Sequence, residues 1–502
     1  MNSAGSGSHR RILRNTTIIA SASMLNIVAG FLRMKVAAVL LGPAGVGLIG
    51  LFQNFVATAA SFASLGLPTV GTREIAASLG EADAAPLAVA RKSLMAAAAG
   101  LALLGMAISW LLRGWIAERL LGQPAYAGAI GWLSIGVALT VYAGGLAACL
   151  NGLQRIGDLA RLGIASGVLA LVAGIGFLQF LGAKGILLFV LAIPAANVLV
   201  GQWLVSRATA GSAAEVTMRE MGGQWRSMLR LGLAVVVASG SFGLAQLVVR
   251  SMVARELGAV PLGHFHAAWT ISVTYAGAIF QAMGTDYFPR LSACGNDIER
   301  RNRLVGEQAE VRLLLAAPVL LAILTLAPWI VRFAYSPEFS ESAGLLRWQV
   351  IGDLLKLAGW PIGFIFLAGG DSRKYVAIEL AASATFVAAT WLLLPHAGLK
   401  ATSLGFVAMN LAYLGIALAM ASGRDRFAWP RHHRNRFLLL LAAALLVLSA
   451  ARASQPVAMG LGTLATAAFG IDGVRRMAAM TGLDGTLGRL SAACRRWLGR
   501  GS

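Results

Sequence analysis

Cations lie within stretches of the sequence that are otherwise apolar, and their positions favour a binding site for an anion. Arg33 and Lys35 come late in an apolar run that ends at Leu41-Gly42, and Arg250 comes late in a run that ends at Gly258. A charge near the middle of a bilayer costs about 2.5–3.5 kcal/mol on insertion scales, so it usually faces a cavity or a partner. Because a guanidinium group can bind two phosphate oxygens at once, we predict a site for a doubly charged anion of phosphate type here. Snorkelling of Lys35 to the interface is the alternative.

A second charged group lies in a later apolar stretch. Asp353 and Lys356 are three residues apart, so they share one face of a helix and are able to pair. Two interpretations stay open: a structural ion pair, or a transport role in which Lys356 is a further contact for the anion and Asp353 carries a proton or cation. Glu379 is another gate or coupling candidate, and so are Asp286 and Arg290 at a predicted cytoplasmic mouth.

Aromatic and amide side chains are interleaved along one apolar stretch, at Trp269, Tyr275 and Gln281. Such side chains suit sugar rings, so these three are candidate sugar contacts, although Trp and Tyr also simply mark membrane interfaces. His264 and His266 are two residues apart, a spacing that does not suit a shared metal ion on one helix face. We expect both histidines at an interface.

Motifs of several enzyme classes are absent from the sequence. There is no GxxxxGK[ST] loop for nucleotide hydrolysis, and no GxSxG or HExxH element. The three cysteines are far apart and form no CxxC pair, so neither a zinc site nor a disulfide framework is expected. We predict that the protein is not an enzyme and has no catalytic residues, no cofactor and no metal site.

The composition requires that membrane helices carry these residues. The 502-residue chain is 58% hydrophobic and only 13% charged, whereas soluble domains carry about 25% charged residues. Its net charge of +21 does not indicate a nucleic-acid partner, because most of the basic residues fall in connections on one side of the membrane. We expect a multi-pass protein of the cell inner membrane, surrounded by membrane lipids, with both termini cytoplasmic.

Fourteen apolar stretches of about 20 residues predict an all-α integral membrane protein, a polytopic bundle of 12–14 transmembrane helices in two pseudo-symmetric lobes. A long polar connection is expected over Pro289–Arg312. The predicted parts are a basic N-terminal segment, an N-lobe, a cytoplasmic linker, a C-lobe, an additional hairpin of two short spans and a basic cytoplasmic tail. Their bounds, in that order, are 1–14, 15–206, 207–226, 227–421, 422–480 and 481–502.

An internal repeat relates the two predicted lobes. At a fixed offset of 216 residues, Leu41-Gly42 aligns with Leu257-Gly258 and Gly47 aligns with Gly263. The same register also gives three further matches: Leu13-Arg14 with Leu229-Arg230, Ala22-Ser23 with Ala238-Ser239, and Ala38 with Ala254. Repeated bundles with positive charge inside the membrane are typical of transporters built from two related halves around a central cavity.

Three stretches resemble Wzx-type O-antigen and lipid III translocases, in that family's order. They are FLRMKVAAVLLGPAGVGLIGLFQ (Phe31 to Gln53), VVRSMVARELGAVPLGHFHAAWTISVTYAGAIFQAMGTDYFPRLS (Val248 to Ser292) and YSPEFSESAGLLRWQVIGDLLKLAGW (Tyr335 to Trp360). The LG…G, YFPRLS and WQ..GD..K elements are the most specific. The last two spans exceed the twelve-helix core of that family.

The resemblance implies a flippase of the multidrug/oligosaccharidyl-lipid/polysaccharide (MOP) superfamily that works by alternating access without ATP. Its substrate would be an undecaprenyl-diphosphate-linked oligosaccharide of O-antigen, enterobacterial-common-antigen or exopolysaccharide type. Implied partners are the polymerase and the chain-length regulator of the same glycan pathway. Two other functions stay open: a cation-coupled small-molecule or drug exporter, and a membrane enzyme of glycan assembly.

Overall fold

The computed structural model describes residues 3–79, 85–208, 236, 240–295, 297–423 and 427–481, and describes side chains at all of these except 3–23, 85, 278–286, 288–289 and 480–481. These residues are almost entirely helical, and they include no β-strand. The all-α prediction is confirmed. The predicted linker from residue 209 and the predicted tail from residue 482 lie outside the described residues.

The described residues up to 256 form eight helices. They are α1 (Ser3–Ala63), α2 (Leu67–Ser78), α3 (Ala85–Leu111), the single turn α4 (Arg113–Trp115), α5 (Ala127–Gly152), α6 (Ile156–Leu181), α7 (Ile186–Ala208) and α8 (residues 240–256). Some of these helices are connected by shorter helical turns. These are a π-helical turn at Ile116–Leu120 and 3₁₀ turns at Pro124–Tyr126 and Gly182–Gly185.

The part of the chain that is described from residue 259 onward adds seven helices. They are α9 (Ala259–Ser292), α10 (Ile298–Ala334), α11 (Glu341–Ala368), α12 (Ser372–Ala397), α13 (Lys400–Ser422), α14 (Arg431–Ala453) and α15 (Gln455–Thr481), with a 3₁₀ turn at Pro337–Phe339. The predicted polar connection Pro289–Arg312 is wrong, because α9 reaches Ser292 and α10 already begins at Ile298. Most of its charged residues are exposed while Leu304, Val305 and Ala309 are buried, so the start of α10 is amphipathic; Arg301 and Arg312 are the buried exceptions among its described charges.

The described helices are suited to a bilayer. Ten of their stretches are long and apolar enough to cross a membrane. Two of the ten contain a pair of helices: Met24–Ala63 is divided by a kink, and Ile156–Ala208 comprises α6 and α7. Phe180 and Phe333 are 87% and 80% exposed, which is unfavourable for apolar rings in water but favourable against lipid tails. The chain is therefore a multi-pass membrane protein. The last two of the ten stretches are Arg431–Ala453 and Gln455–Ala479, where the additional hairpin is predicted.

Two compact units can be recognised in the chain. The first contains residues up to His266 together with Ala334–Glu338, and the second contains Ala267–Phe333 together with the residues from Phe339 onward. Within the first unit, α1 packs on α5, α6 and α7, and α3 packs on α5. Within the second, α13 packs on α11 and α12, and α14 packs on α15. The lobe bounds derived from the sequence stay predictions.

The repeat in the sequence is matched by backbone geometry. Gly42 has φ +63° and Gly258 has φ +91°, conformations that favour glycine over residues with a Cβ atom. Gly42 breaks α1 into two helical halves, and Gly258 separates α8 from α9. Equivalent positions of the two repeats therefore make equivalent sharp turns between consecutive helices.

The two copies of the repeat also meet directly, within the first unit. A Cβ atom placed on Gly47 would collide with the backbone of Ala259 and Gly263, and one placed on Gly263 would collide with the backbone of Pro43. Pro43 and Ala259 are equivalent positions at the repeat offset, so the contact is reciprocal. Small residues allow such close helix approach in membranes, where van der Waals packing drives association.

Alanine at either repeat glycine is expected to destabilise the protein. Gly47→Ala and Gly263→Ala each force a methyl group against fixed backbone, an overpacking change that costs about 1–3 kcal/mol. Gly344→Ala is the matched control, because nothing lies within 4 Å of the added Cβ atom on this exposed helix position. We expect lower thermal unfolding midpoints in detergent micelles for the first two variants and no loss for the control. Equal midpoints for all three would contradict the close contact.

Candidate functional site

Arg33 is enclosed by the helices of the first unit. It is 4% exposed, its Cζ atom lies 3.8 Å from the centroid of the Phe189 ring of α7, and its Nη2 donates a hydrogen bond to the Phe189 carbonyl. Its Nε has no hydrogen-bond partner among the residues that the structure describes. Gly174 of α6 provides the space, since a Cβ atom there would come within 3.0 Å of Nε. The cation is thus fixed in place, with one N–H group that has no acceptor among the described residues.

A polar cleft of about 240 Å³ opens beside Arg33, between α1, α6 and α7. Asn26, Asn197 and Arg33 supply its polar groups, and its other lining residues are mostly small. Cβ atoms on Gly163 or Gly167 would collide with the Asn26 amide, so these glycines make room for a polar side chain as well as for helix packing. Two amides and a guanidinium group can hydrogen-bond phosphate oxygens or sugar hydroxyls. The sequence analysis missed both asparagines, because an uncharged amide in an apolar run is a weak signal.

Arg250 has a different environment in the same unit. It is 2% exposed, with Nη1 3.2 Å from Nδ1 of His266 and Cζ 5.1 Å from the centroid of the Phe265 ring. Arginine can only donate, so His266 Nδ1 is the acceptor and the imidazole is the neutral tautomer protonated on Nε2. Arg250 Nε has no hydrogen-bond partner among the described residues.

Two sequence expectations near Arg250 need correction. His264 and His266 were expected at an interface, but both are buried, at 5% and 7% exposure. The reason is packing, since a Cβ atom on Gly50 would occupy the space of the His266 ring. Lys35, in contrast to Arg33, is only partly buried.

A carboxylate cluster lies in the second unit. Asp353 of α11 is 3% exposed, and its Oδ2 accepts hydrogen bonds from Ser272 Oγ at 2.7 Å and from the Tyr275 hydroxyl at 2.6 Å. Both donors are on α9. Tyr275, a predicted sugar contact, therefore hydrogen-bonds a carboxylate. The spacing of residues in the sequence did not indicate this hydrogen bond.

Lys356 and Glu379 extend this cluster. The Lys356 charge interacts electrostatically with both Asp353 and Glu379, so it is shared between α11 and α12. The Glu379 carboxylate is hydrogen-bonded by the Tyr375 hydroxyl one helical turn earlier. The three charged candidates predicted in this part of the sequence are thus close enough to act on one another. Two carboxylates near one ammonium group can hold a proton or a small cation.

Arg312 is a buried cation that the sequence analysis missed. It lies on α10 with no exposed surface, and its Cζ is 4.6 Å from the centroid of the Trp360 ring and 5.0 Å from that of Tyr287. None of its three guanidinium nitrogens has a hydrogen-bond partner among the described residues. Cation–π contact compensates part of its desolvation and leaves its N–H groups unsatisfied. Arg312 could not be recognised from the sequence, because it follows a run of charged residues that indicated a polar connection.

Trp269 occupies a core position in the second unit. It is 6% exposed, stacks on Phe386 at a centroid distance of 6.1 Å and meets Phe406 edge to face at 5.2 Å. The stacked and edge contacts leave little ring surface for a sugar. Among the remaining candidates, Arg290 is exposed, and the side chains of Gln281 and Asp286 lie outside those described.

A helical bundle with charged groups enclosed in its spans is the architecture of a membrane transporter. The family model for polysaccharide biosynthesis proteins matches residues 12–294, which is more than half of the chain. The chain belongs to this family. The lipid III flippases of Escherichia coli (strain K12) and Shigella flexneri are each 22% identical to it over 400 residues, which cover 79% of this chain and 95% of the relative.

Solved structures show the same fold. The lipid II flippase MurJ in an inward closed conformation matches with a TM-score of 0.67 and 12% identity, over 93% of this chain and 99% of that one. An inward-facing multidrug resistance MATE transporter of the MOP superfamily matches with a TM-score of 0.63 and 16% identity, over 84% of this chain and 98% of that one. The resemblance to a MOP-superfamily flippase, drawn from the sequence, is confirmed.

Replacement of Trp269 tests whether the ring is a core residue. We expect Trp269→Ala to lower the free energy of unfolding by about 3–5 kcal/mol, because it leaves a cavity between Phe386 and Phe406. Trp269→Phe keeps most of the packing and should cost far less. Thermal unfolding in micelles measures both. An unchanged midpoint for Trp269→Ala, together with lost transport, would instead support the predicted sugar contact.

Proposed function

We propose that this protein is a flippase that moves a diphosphate-linked polyprenol oligosaccharide from the inner to the outer leaflet of a bacterial inner membrane. The observation that carries the proposal is the set of buried arginines with unsatisfied N–H groups, Arg33, Arg250 and Arg312, in a member of the polysaccharide biosynthesis family. A diphosphate supplies the acceptors that these groups lack. Lys35 and Lys356 are further candidate contacts.

The polar cleft beside Arg33 supports recognition of such a head group. Its amide groups can bind the phosphate oxygens or the first sugar, while the apolar helix surfaces around it suit a polyprenyl chain. Lipid-linked saccharides are also the substrates in the names of similar proteins, the lipid III and lipid II flippases. The particular glycan is decided by side-chain geometry around the sugar, for which Tyr275 and Gln281 stay candidates.

The carboxylate cluster supports ion coupling. Because Asp353 is buried and receives two hydroxyl hydrogen bonds, it can hold a proton or a cation and release it when its surroundings change. Glu379, Asp286 and Arg290 are proposed to take part in the same gating. The energy then comes from an ion gradient or the membrane potential, with no ATP hydrolysis, and the cycle is alternating access with both termini cytoplasmic. The pathway's polymerase and chain-length regulator are proposed partners.

Drug export is the second candidate function. It is favoured by the likeness to a multidrug MATE transporter and by the buried Asp353. The two functions are separated by deleting the gene. A flippase mutant accumulates lipid-linked oligosaccharide and loses its surface polymer, whereas an exporter mutant becomes drug-sensitive with normal surface glycan.

Neutral replacements of the buried arginines test the diphosphate site. Arg33→Gln, Arg250→Gln and Arg312→Gln each remove a charged donor worth about 1.5–3 kcal/mol, so transport should fall roughly tenfold to hundredfold. Surface polymer and accumulated precursor are measured in a deletion strain that expresses each variant, with membrane protein quantified by immunoblot. Arg161→Gln is the control, because that side chain is 75% exposed and only pairs with Asp158. Normal polymer in all three variants would refute the site.

Asp353→Asn tests ion coupling. The change removes the ionisable group but keeps its size and an acceptor for Ser272 and Tyr275. We expect normal amounts of membrane protein with transport lost, and a partial loss for Tyr275→Phe, which removes one hydrogen bond. Wild-type transport by Asp353→Asn would exclude this carboxylate as the coupling group.

A further inference from the structure

Two adjacent histidines and one glutamate converge where α14 begins beside α10. The Nε2 atoms of His432 and His433 each lie 4.0 Å from the same oxygen, Oε2 of Glu310. One ligand atom from each of the three residues lies within 4.8 Å of the others. The two imidazole rings lie side by side, with centroids 3.9 Å apart. Consecutive residues of a helix ordinarily diverge, so this convergence needs a cause.

Direct hydrogen bonding does not explain the arrangement. A distance of 4.0 Å is too long for a hydrogen bond between an imidazole nitrogen and a carboxylate oxygen. His433 is buried, and its Nδ1 has no hydrogen-bond partner among the described residues. If Nδ1 carries the proton, the Nε2 lone pair faces a negative oxygen, which is repulsive unless a cation lies between them.

The spacing fits a shared metal ion. Two sides of the triangle are 4.0 Å and the third is no longer than 4.8 Å, so an ion centred in it lies at most about 2.5 Å from each corner, a little beyond the zinc–nitrogen and zinc–oxygen lengths of about 2.0–2.2 Å. A shift of a few tenths of an ångström by the side chains completes the fit. Two imidazoles and one carboxylate are donors that suit zinc, and they leave a fourth position for water.

The arginines next to Glu310 contact its Oε1 atom and leave Oε2 available for a metal ion. Arg436 lies 3.1 Å and Arg476 lies 3.9 Å from Oε1 of Glu310, the other carboxylate oxygen. Both arginines also pair with Asp472 of α15. Two acids and two arginines balance in this network, and Oε2 remains directed at the histidines.

We infer that Glu310, His432 and His433 form a binding site for a divalent transition-metal ion, for which zinc is the best match. The ion joins α14 to α10, and so fixes the additional hairpin to the helix that carries Arg312. A second attachment lies elsewhere on the hairpin, where Arg347 of α11 donates to Gln455 of α15 at 2.8 Å. The site does not depend on the proposed transport function.

Metal binding by the purified full-length protein tests the site. Untagged protein in detergent is stripped with EDTA, and Zn²⁺ alone is then titrated by calorimetry and by thermal unfolding. We expect one ion per chain and a rise in the unfolding midpoint. Loss of an outer-shell contact typically costs metal sites about 10- to 100-fold in affinity, so His432→Ala and Glu310→Gln should each lose at least that much.

The choice of variants separates a loss of zinc binding from a failure to fold. His432 is 60% exposed, so His432→Ala should fold even if His433→Ala does not. His396→Ala is the control, because His396 is exposed at the end of α12. Equal zinc affinity for the wild type, His432→Ala and Glu310→Gln would overturn the site. So would wild-type protein that binds no zinc, or zinc binding that only His396→Ala abolishes.

Discussion

Desolvation of a guanidinium group inside a membrane bundle costs several kcal/mol unless its charge and its N–H groups are compensated. Arg33 receives an aromatic ring and one carbonyl, Arg250 receives a neutral imidazole, and Arg312 receives only aromatic faces. In each case at least one N–H group has no acceptor among the residues that the structure describes. A stable fold that keeps such groups is best explained by a ligand that brings its own anionic oxygens.

The glycines and aromatic residues of the bundle follow from this requirement. Gly174 leaves room beside Arg33, and Gly50 leaves room for the ring of His266. Small residues therefore shape polar sites as well as helix contacts. In the second unit, the hydroxyls of Ser272 and Tyr275 hold a carboxylate in place. The three buried arginines proposed to bind the substrate thus lie on other helices than Asp353, the carboxylate proposed for ion coupling.

The sequence predicted the helical membrane fold well, because apolar runs of this length have few alternatives. The repeat aligned Gly42 with Gly258, and the structure shows a sharp turn with positive φ at both. Arg312 was missed, since periodicity cannot show which face of a helix end a charge occupies. The packing of Trp269 against Phe386 and Phe406 could not be predicted, because these residues are distant in the sequence, and the same holds for the convergence of Glu310 with His432 and His433.

The most direct test of the account is transbilayer movement in a reconstituted system. Purified protein in liposomes would be supplied with a short-chain polyprenyl-diphosphate disaccharide that carries a fluorophore, and a membrane-impermeant quencher would report how much of it reaches the other leaflet. The account predicts rapid movement by the wild-type protein and by Arg161→Gln, and slow movement by Arg33→Gln and Arg250→Gln. Equal rates with and without the wild-type protein, or full activity of both arginine variants, would contradict it.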